Sequence, residues 1–356
     1  MLFTSTCYGV KNANVPKASV FMKRKVNNEE VYVKRIIAFL MICLMLVSFS
    51  AFGEAAKPLE GKFIPVLPLG VAHQFWQAVK LGAEKAAEKY GVYIVFDGPE
   101  AETMVDKQVD ILRTNLANQD LVAVCMAAID IESVRELLED VKAKGMPVVG
   151  FDAGVGPVAD AHCSTSNYSA GELAAQNAIR LMGKEGKIAI IGHSQTVVDA
   201  VARVEGFVNY IKNNSNIQIV DIQYGDGDHL KSADIAKSMM IANPDVNLIY
   251  ASNEGACVGA YNGLQEIGMI SKVLLIGFDS SAALKEGVRS GEIAGAITQD
   301  PVGMGYIAVA TACKLALGET IEGVKDENGT AFIDTGCYWY DAGNMDEAHI
   351  APLLYD

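Results

Sequence analysis

The chain has 356 residues, enough for two medium-sized domains that each bury a core. Its 51% hydrophobic content, 33 Gly and only 10 Pro describe a globular α/β protein and exclude a disordered or fibrous one. The net charge of −14 excludes a nucleic-acid reader, because phosphate binding needs clustered Lys and Arg.

The N-terminus differs in kind from the rest. In "VKRIIAFLMICLMLVSFSAFGEAAK", Lys34 and Arg35 precede an unbroken apolar run from Ile36 to Val47, and the small-x-small triplet Ala51-Phe52-Gly53 follows. That order is the signature of a cleaved export signal, and the run is shorter than the roughly 20 residues a membrane span needs. Residues 1–32 are polar and aperiodic, so Val33 is the expected start and 1–53 the removable segment. Cys43 follows bulky Ile42 and lies within the apolar run, which argues against a lipid-modified cysteine. Five cysteines remain beyond it: Cys125, Cys163, Cys257, Cys313 and Cys337. They are odd in number and lack C-x-x-C or Cys/His ligand spacing, so they read as small buried hydrophobes with at most one pair.

From Lys62 onward short apolar runs alternate with amphipathic stretches. The pattern predicts a strand over 62–67 and a helix over 74–90, with Phe75, Val79, Ala83, Ala86 and Tyr90 on one face. Strand 92–97, helix 103–118, strand 121–126, helix 132–144 and strand 147–152 follow. Residues 153–169 read as a connector, after which the pattern restarts. Helices over 170–182, 200–213, 231–242 and 255–268 alternate with strands over 187–192, 217–224, 247–252 and 272–279. Strand 295–300 comes next, then helix 303–317 and a tail with "AFID" and "CYWYD". Two βα runs of similar length predict two α/β lobes with doubly wound parallel sheets. Each run holds one Gly-Phe-Asp, ending at Asp152 and at Asp279.

Ligands of open α/β sheets bind beyond the carboxyl ends of the strands. The polar residues there are Asp152, Asn253, Asp279 and Gln299, while His73, Phe75 and Trp76 open the first helix. Carboxylates and amides with aromatic walls suit a small polyhydroxylated solute: the carboxylates accept hydroxyl protons and the rings cover C–H faces. The bland readings are helix caps for the aspartates and Asn253, and core packing for one of the two rings. Arg203 reads as an ion-pair partner on a helix surface.

The stretches "QFWQAVKLGAEKAAEKYG", "PVVGFDAG", "SNYSAGELAA", "ARVEGF", "YASNEGACVGAYNGL", "VLLIGFDSS" and "GAITQDPVGMGYIA" together resemble the ribose-type periplasmic solute-binding proteins of ABC importers, relatives of simple-sugar and autoinducer receptors. The resemblance runs from Lys62 to the C-terminus. It implies a type I periplasmic binding protein architecture, two lobes joined by a three-strand hinge, with 57–165 plus 300–333 in one lobe and 166–299 plus 334–356 in the other. It also implies a non-catalytic exported monomer, periplasmic or extracellular, with no cofactor or metal, which delivers a small neutral sugar or polyol to a membrane permease with a separate ATPase. Carried over by position, Phe75 and Trp76 match the stacking rings, Asp152 the carboxylate of the first lobe, and Asn253, Asp279 and Gln299 the polar groups of the second lobe and hinge. "SQTVVD" resembles the autoinducer receptors and adds Asp199 as a ligand carboxylate, although Val66 stands where those receptors carry Lys. Ala153 and Val201 occupy positions where ribose-type receptors carry ligand arginines, which argues against ribose itself. Ala127 and His73 replace pocket asparagines.

Other classes fit less well. An autoinducer or nucleoside receptor of the same fold, or a receptor read by a chemotaxis or sensor partner, remains compatible. "IIGHSQT" approaches a hydrolase nucleophile elbow, but Thr196 replaces the second Gly that its tight turn requires. "GDGD" at Gly225 lacks the flanking spacing of a calcium loop, and no phosphate-binding glycine motif occurs. A two-lobed repressor would need an N-terminal helix-turn-helix where this chain has the apolar segment.

Overall fold

The computed structural model describes residues 32–33, 35–37, 57–321, 323–325 and 329–355. The expected export segment and its start at Val33 lie almost wholly outside the described residues, among which no helix is long and apolar enough to cross a membrane. The fold below concerns the compact unit from Lys57 onward.

In chain order, the first lobe contains β1 (Phe63–Leu67), α1 (Gln74–Tyr90), β2 (Tyr93–Phe96), α2 (Val105–Leu116), β3 (Val124–Met126), α3 (Ile131–Ala143), β4 (Val148–Phe151) and β5 (Ala161–Ser164). The second holds α4 (Asn167–Met182), β6 (Lys187–Gly192), α5 (Val198–Asn214), β7 (Gln218–Tyr224), α6 (His229–Ala242), β8 (Leu248–Ala251), α7 (Glu254–Glu266), β9 (Leu274–Phe278), α8 (Ala282–Ser290) and β10 (Gly295–Gln299). The chain then returns through α9 (Pro301–Ala316), β11 (Val324–Lys325) and β12 (Ala331–Asp334) to the first sheet, and through β13 (Cys337–Tyr340) to the second.

One sheet runs β11-β12-β5-β4-β3-β1-β2 and the other β13-β10-β9-β8-β6-β7. The parallel core of each follows the same winding, second strand first, then first, third, fourth and fifth. The central strands β1, β3, β4 and β8 are buried along their whole length, which is why they read as unbroken apolar runs. The α1 stripe buries Phe75, Val79, Ala83 and Ala86, and left-handed Gly91 (φ 78°) ends the helix by donating its N–H to Ala87 O.

Two elements depart from the sequence expectation. The connector 153–169 contains a single helical turn at Gly156–Val158 and then β5, which pairs with β4 and β12. Its "AHCS" is short and lacks β-branched residues, so nothing marks it as a strand until its neighbours pair with it. Between β9 and β10 the sequence reading places no helix, yet α8 lies there; it buries Leu284, Gly287 and Val288, too few positions for periodicity to register. All five cysteines in this unit are free, four of them buried and Cys337 half-buried.

Helix pairs within each lobe meet through glycine. A Cβ on Gly82 of α1 would sit 1.9 Å from Val302 O, and one on Gly305 of α9 would sit 2.0 Å from Val79 O. Gly171 of α4 and Gly206 of α5 are matched in the same way, against Arg203 O and Tyr168 O. These contacts bring the backbones of α1 and α9, and of α4 and α5, close together.

The chain crosses between the sheets three times, after β5, β10 and β12. The crossings are tied to one another. Thr165 Oγ1 lies 2.8 Å from Gln299 Oε1 and 3.3 Å from Gly336 O, and Ser166 N donates to Asp334 Oδ1 at 3.2 Å.

Candidate functional site

The strand-end positions of both sheets converge on one cavity between the lobes. Its lining takes His73, Phe75 and Trp76 from the start of α1, Asp152 after β4, Asp199 from α5, Asn253 after β8, Asp279 after β9 and Gln299 at the end of β10. All eight residues expected from the sequence are therefore brought together. Leu69, Glu102, His193 and Arg203 complete the lining. The cavity is small, about 20 Å³, because its polar side chains bond to one another. His73 and Glu102 also line a wider groove of about 570 Å³ between residues 100–103 and 226–231.

The two Gly-Phe-Asp aspartates are structural counterparts. Both are left-handed, Asp152 at φ 50° and Asp279 at φ 76°, a region that side-chain-bearing residues visit rarely and that clusters at functional sites. Each donates its N–H to the neighbouring strand, Asp152 to Cys163 O and Asp279 to Ile297 O. Each accepts a side-chain donor on its carbonyl, from His162 Nε2 and from Tyr340 Oη, both at 2.8 Å. Neither caps the helix that follows. The Asp279 carboxylate instead accepts Gln299 Nε2 at 2.7 Å and Glu254 N at 2.9 Å. Burial, and then the neighbouring Asp199 carboxylate, push the Asp152 carboxyl well above the usual range.

Arg203 corrects the sequence reading. It is 2% exposed and lies inside the cavity wall, because the Gly171–Gly206 contact turns its face of α5 inward. Its guanidinium donates to Asn167 Oδ1 (2.8 Å), Ser252 O (3.1 Å) and Gln299 Oε1 (3.4 Å), pairs with Asp199 Oδ2 at 3.2 Å, and stacks 3.9 Å over the Phe278 ring. Burial opposes its charge, but Asp199, Asp279 and Asp152 outweigh that and raise its pKa. His193 lies 3.7 Å from Asp199 Oδ2, and burial lowers its pKa despite that neighbour.

Both rings at the start of α1 are buried and both line the cavity, so neither is core alone. Phe75 and Trp76 meet edge-on at 4.8 Å, and Trp76 Nε1 donates to Glu102 Oε1 at 2.8 Å. His73 Nε2 lies 3.1 Å from Gly227 O and Nδ1 lies 3.4 Å from Glu102 Oε1. Burial works against a charged ring, yet Glu102, Glu254 and Asp279 together raise its pKa. Asn253 does cap α7, accepting Ala256 N at 2.8 Å through Oδ1, while the residue still faces the cavity.

Glu254, at the first turn of α7, reaches across from the second lobe. It accepts Gln74 N at 3.2 Å and Phe75 N at 3.1 Å, capping an α1 that has no acidic residue of its own in the first turn. Gln74 Oε1 accepts Ala282 N at 2.8 Å beside it.

The sequence reading missed four of these groups. His193 follows β6, where the strand-end rule applies as it does for Asn253, but the sequence reading did not apply it there. Glu102 lies in a loop with no motif around it, and Glu254 starts a helix within "YASNEGACVGAYNGL", where nothing in the pattern singles it out. Arg203 depends on which face of α5 is buried.

Residues 64–320 match the family model described as the periplasmic binding protein domain. Curated relatives include the D-allose-binding periplasmic protein of Escherichia coli (strain K12), 26% identical over 76% of this chain and 86% of its own length. The ribose import binding protein of Bacillus subtilis (strain 168) is 25% identical over 70% and 79%. Among solved structures, an ABC transporter solute binding protein from Agrobacterium vitis with bound D-fucose superposes with a TM-score of 0.77 at 30% identity, covering 82% of this chain and 100% of the other. A carbohydrate transporter solute binding protein from Agrobacterium radiobacter in complex with D-arabinose gives 0.75 at 28%, over 85% and 100%. With its two doubly wound lobes and its cavity between them, the chain belongs to the periplasmic binding protein domain family.

Proposed function

We propose that this chain is the exported receptor of an ABC importer, that it binds a small sugar, polyol or related solute between its lobes, and that it hands the solute to a membrane permease driven by a separate ATPase. The lobes, 57–165 with 300–333 and 166–299 with 334–356, would move as rigid bodies about the three crossings. The observation that carries the reading is the convergence of two left-handed strand-end aspartates, one from each lobe, with Asn253, Gln299 and two aromatic rings on a single cavity. Rings against C–H faces and acceptors against hydroxyls are the chemistry such a solute needs.

A thermal-shift screen of the chain from residue 54 onward against pentoses, hexoses, polyols, nucleosides and autoinducer tests this. The expected result is a stabilising solute whose effect disappears in Asp152→Ala and Asp279→Ala. A solute that stabilises both variants as well as it does the parent would refute the site.

A further inference from the structure

Resting on the sugar-like reading of this same cavity, we infer that its solute carries a basic nitrogen, as in an amino sugar or amino polyol, held between the carboxylates of Asp152 and Asp199.

The inference starts from donors and acceptors. Four carboxylates line the cavity, those of Glu102, Asp152, Asp199 and Asp279, against one guanidinium. That guanidinium is largely committed within the protein: Nε, Nη1 and Nη2 of Arg203 are already bonded to Asn167, Ser252, Gln299 and Asp199. The carboxylates are not equally committed. Both oxygens of Asp279 are matched, by Gln299 Nε2 and Glu254 N, and Glu102 faces Trp76 Nε1 and His73. Asp199 is 4% exposed and its Oδ1 is buried with no hydrogen-bond partner, although its Oδ2 pairs with Arg203.

A buried carboxylate oxygen left unmatched is costly, and two neighbouring carboxyls repel. Asp152 and Asp199 line this cavity together and the one beside it, and burial, then Asp199, raise the Asp152 carboxyl against the pull of Arg203. A neutral hydroxyl relieves this only in part, because it adds one donor and no charge. An ammonium brings three donors, no acceptor and a positive charge, and charge-assisted bonds to carboxylate are about twice as strong as neutral ones. His193 does not fill this role, since burial lowers its pKa. An inorganic cation fits less well: among the described residues no group of three or more His, Cys, Asp or Glu is placed to hold a metal ion.

The test is isothermal titration calorimetry of the protein with matched pairs: D-glucosamine and D-glucose, D-galactosamine and D-galactose, 1-amino-1-deoxypentitols and pentitols, and the N-acetyl form of each amine. In at least one pair the basic member is expected to bind tenfold or more tighter than its neutral parent and its N-acetyl form. Asp199→Asn should bring that ratio close to one. Should Asp199→Asn prove unfolded by circular dichroism, Asp152→Asn is read in the same way. Neutral members that bind as tightly as the basic ones, or tighter, overturn the inference and leave the sugar reading standing. A basic preference that survives both substitutions overturns the assignment to this carboxylate pair. Binding by no member of any pair counts against the sugar reading and the inference together.

Discussion

Asp152 is the residue at which the proposed binding role should cost stability. Its left-handed backbone and buried carboxyl are both unfavourable. Because its folded-state pKa is raised, the folded chain holds this proton more tightly than the unfolded chain does. That contribution is complete below the unfolded value of about 4 and is lost as pH climbs through the raised value. Above the unfolded value the group therefore weakens the ligand-free fold, and more so as pH approaches the raised value. Asp152→Asn, which tolerates the same backbone region, should be more stable than the parent by about 1 kcal/mol at pH 7. Its melting temperature should also fall less between pH 5 and pH 8. Differential scanning calorimetry without ligand checks both; a less stable variant at pH 7 would contradict this account. The strand-end rule made Asp152, Asn253, Asp279 and Gln299 legible in the sequence, since it needs only a strand and the next polar residue; His73, Phe75 and Trp76 came from the start of the first helix and Asp199 from the family resemblance. Arg203 was legible as a charge but not as a buried one, because the depth of α5 is set by the Gly171–Gly206 contact and not by any pattern in α5 itself.

At the scale of elements, α1 meets α7 of the other lobe through Glu254, a contact on which the proposed closure would depend. The α1 N-terminus leaves its first N–H groups unsatisfied within its own lobe, and Glu254 of the other lobe accepts two of them. If the lobes part at the crossings, as proposed, these two bonds would break, so Glu254 would favour the closed, binding-competent form. Glu254→Ala should weaken solute affinity by about tenfold while leaving the fold intact, because the side chain bonds to α1 rather than lining the cavity. Titration calorimetry with the best solute measures the loss; unchanged affinity would show that closure does not use this contact. Fully buried strands and long helices were legible because burial on both faces or on one stripe leaves a strong periodic imprint. The strand β5 and helix α8 were not, since four polar-leaning residues and three buried positions carry no such imprint. The Glu254 bridge was invisible for a different reason: its partner lies 179 residues away and is backbone.

For the whole molecule, two copies of one winding face each other across three crossings, and Gln299 belongs to both hinge and site. Its Oε1 accepts Thr165 from the first crossing while its Nε2 holds Asp279 in the cavity. If solute binds Asp279 and the lobes rotate at the crossings, as proposed, this one side chain would couple the two. The repeated Gly-Phe-Asp announced the two-lobe plan in the sequence; the interlocking of hinge and site emerged only from the fold. The most direct test of the central claim is a crystal structure of the protein with its best solute. The account predicts the solute between the lobes, its C–H face on Trp76 or Phe75, its polar groups on Asp152, Asp279, Asn253 and Gln299. A solute seated outside this cavity, in the outer groove or on one lobe alone, would contradict it.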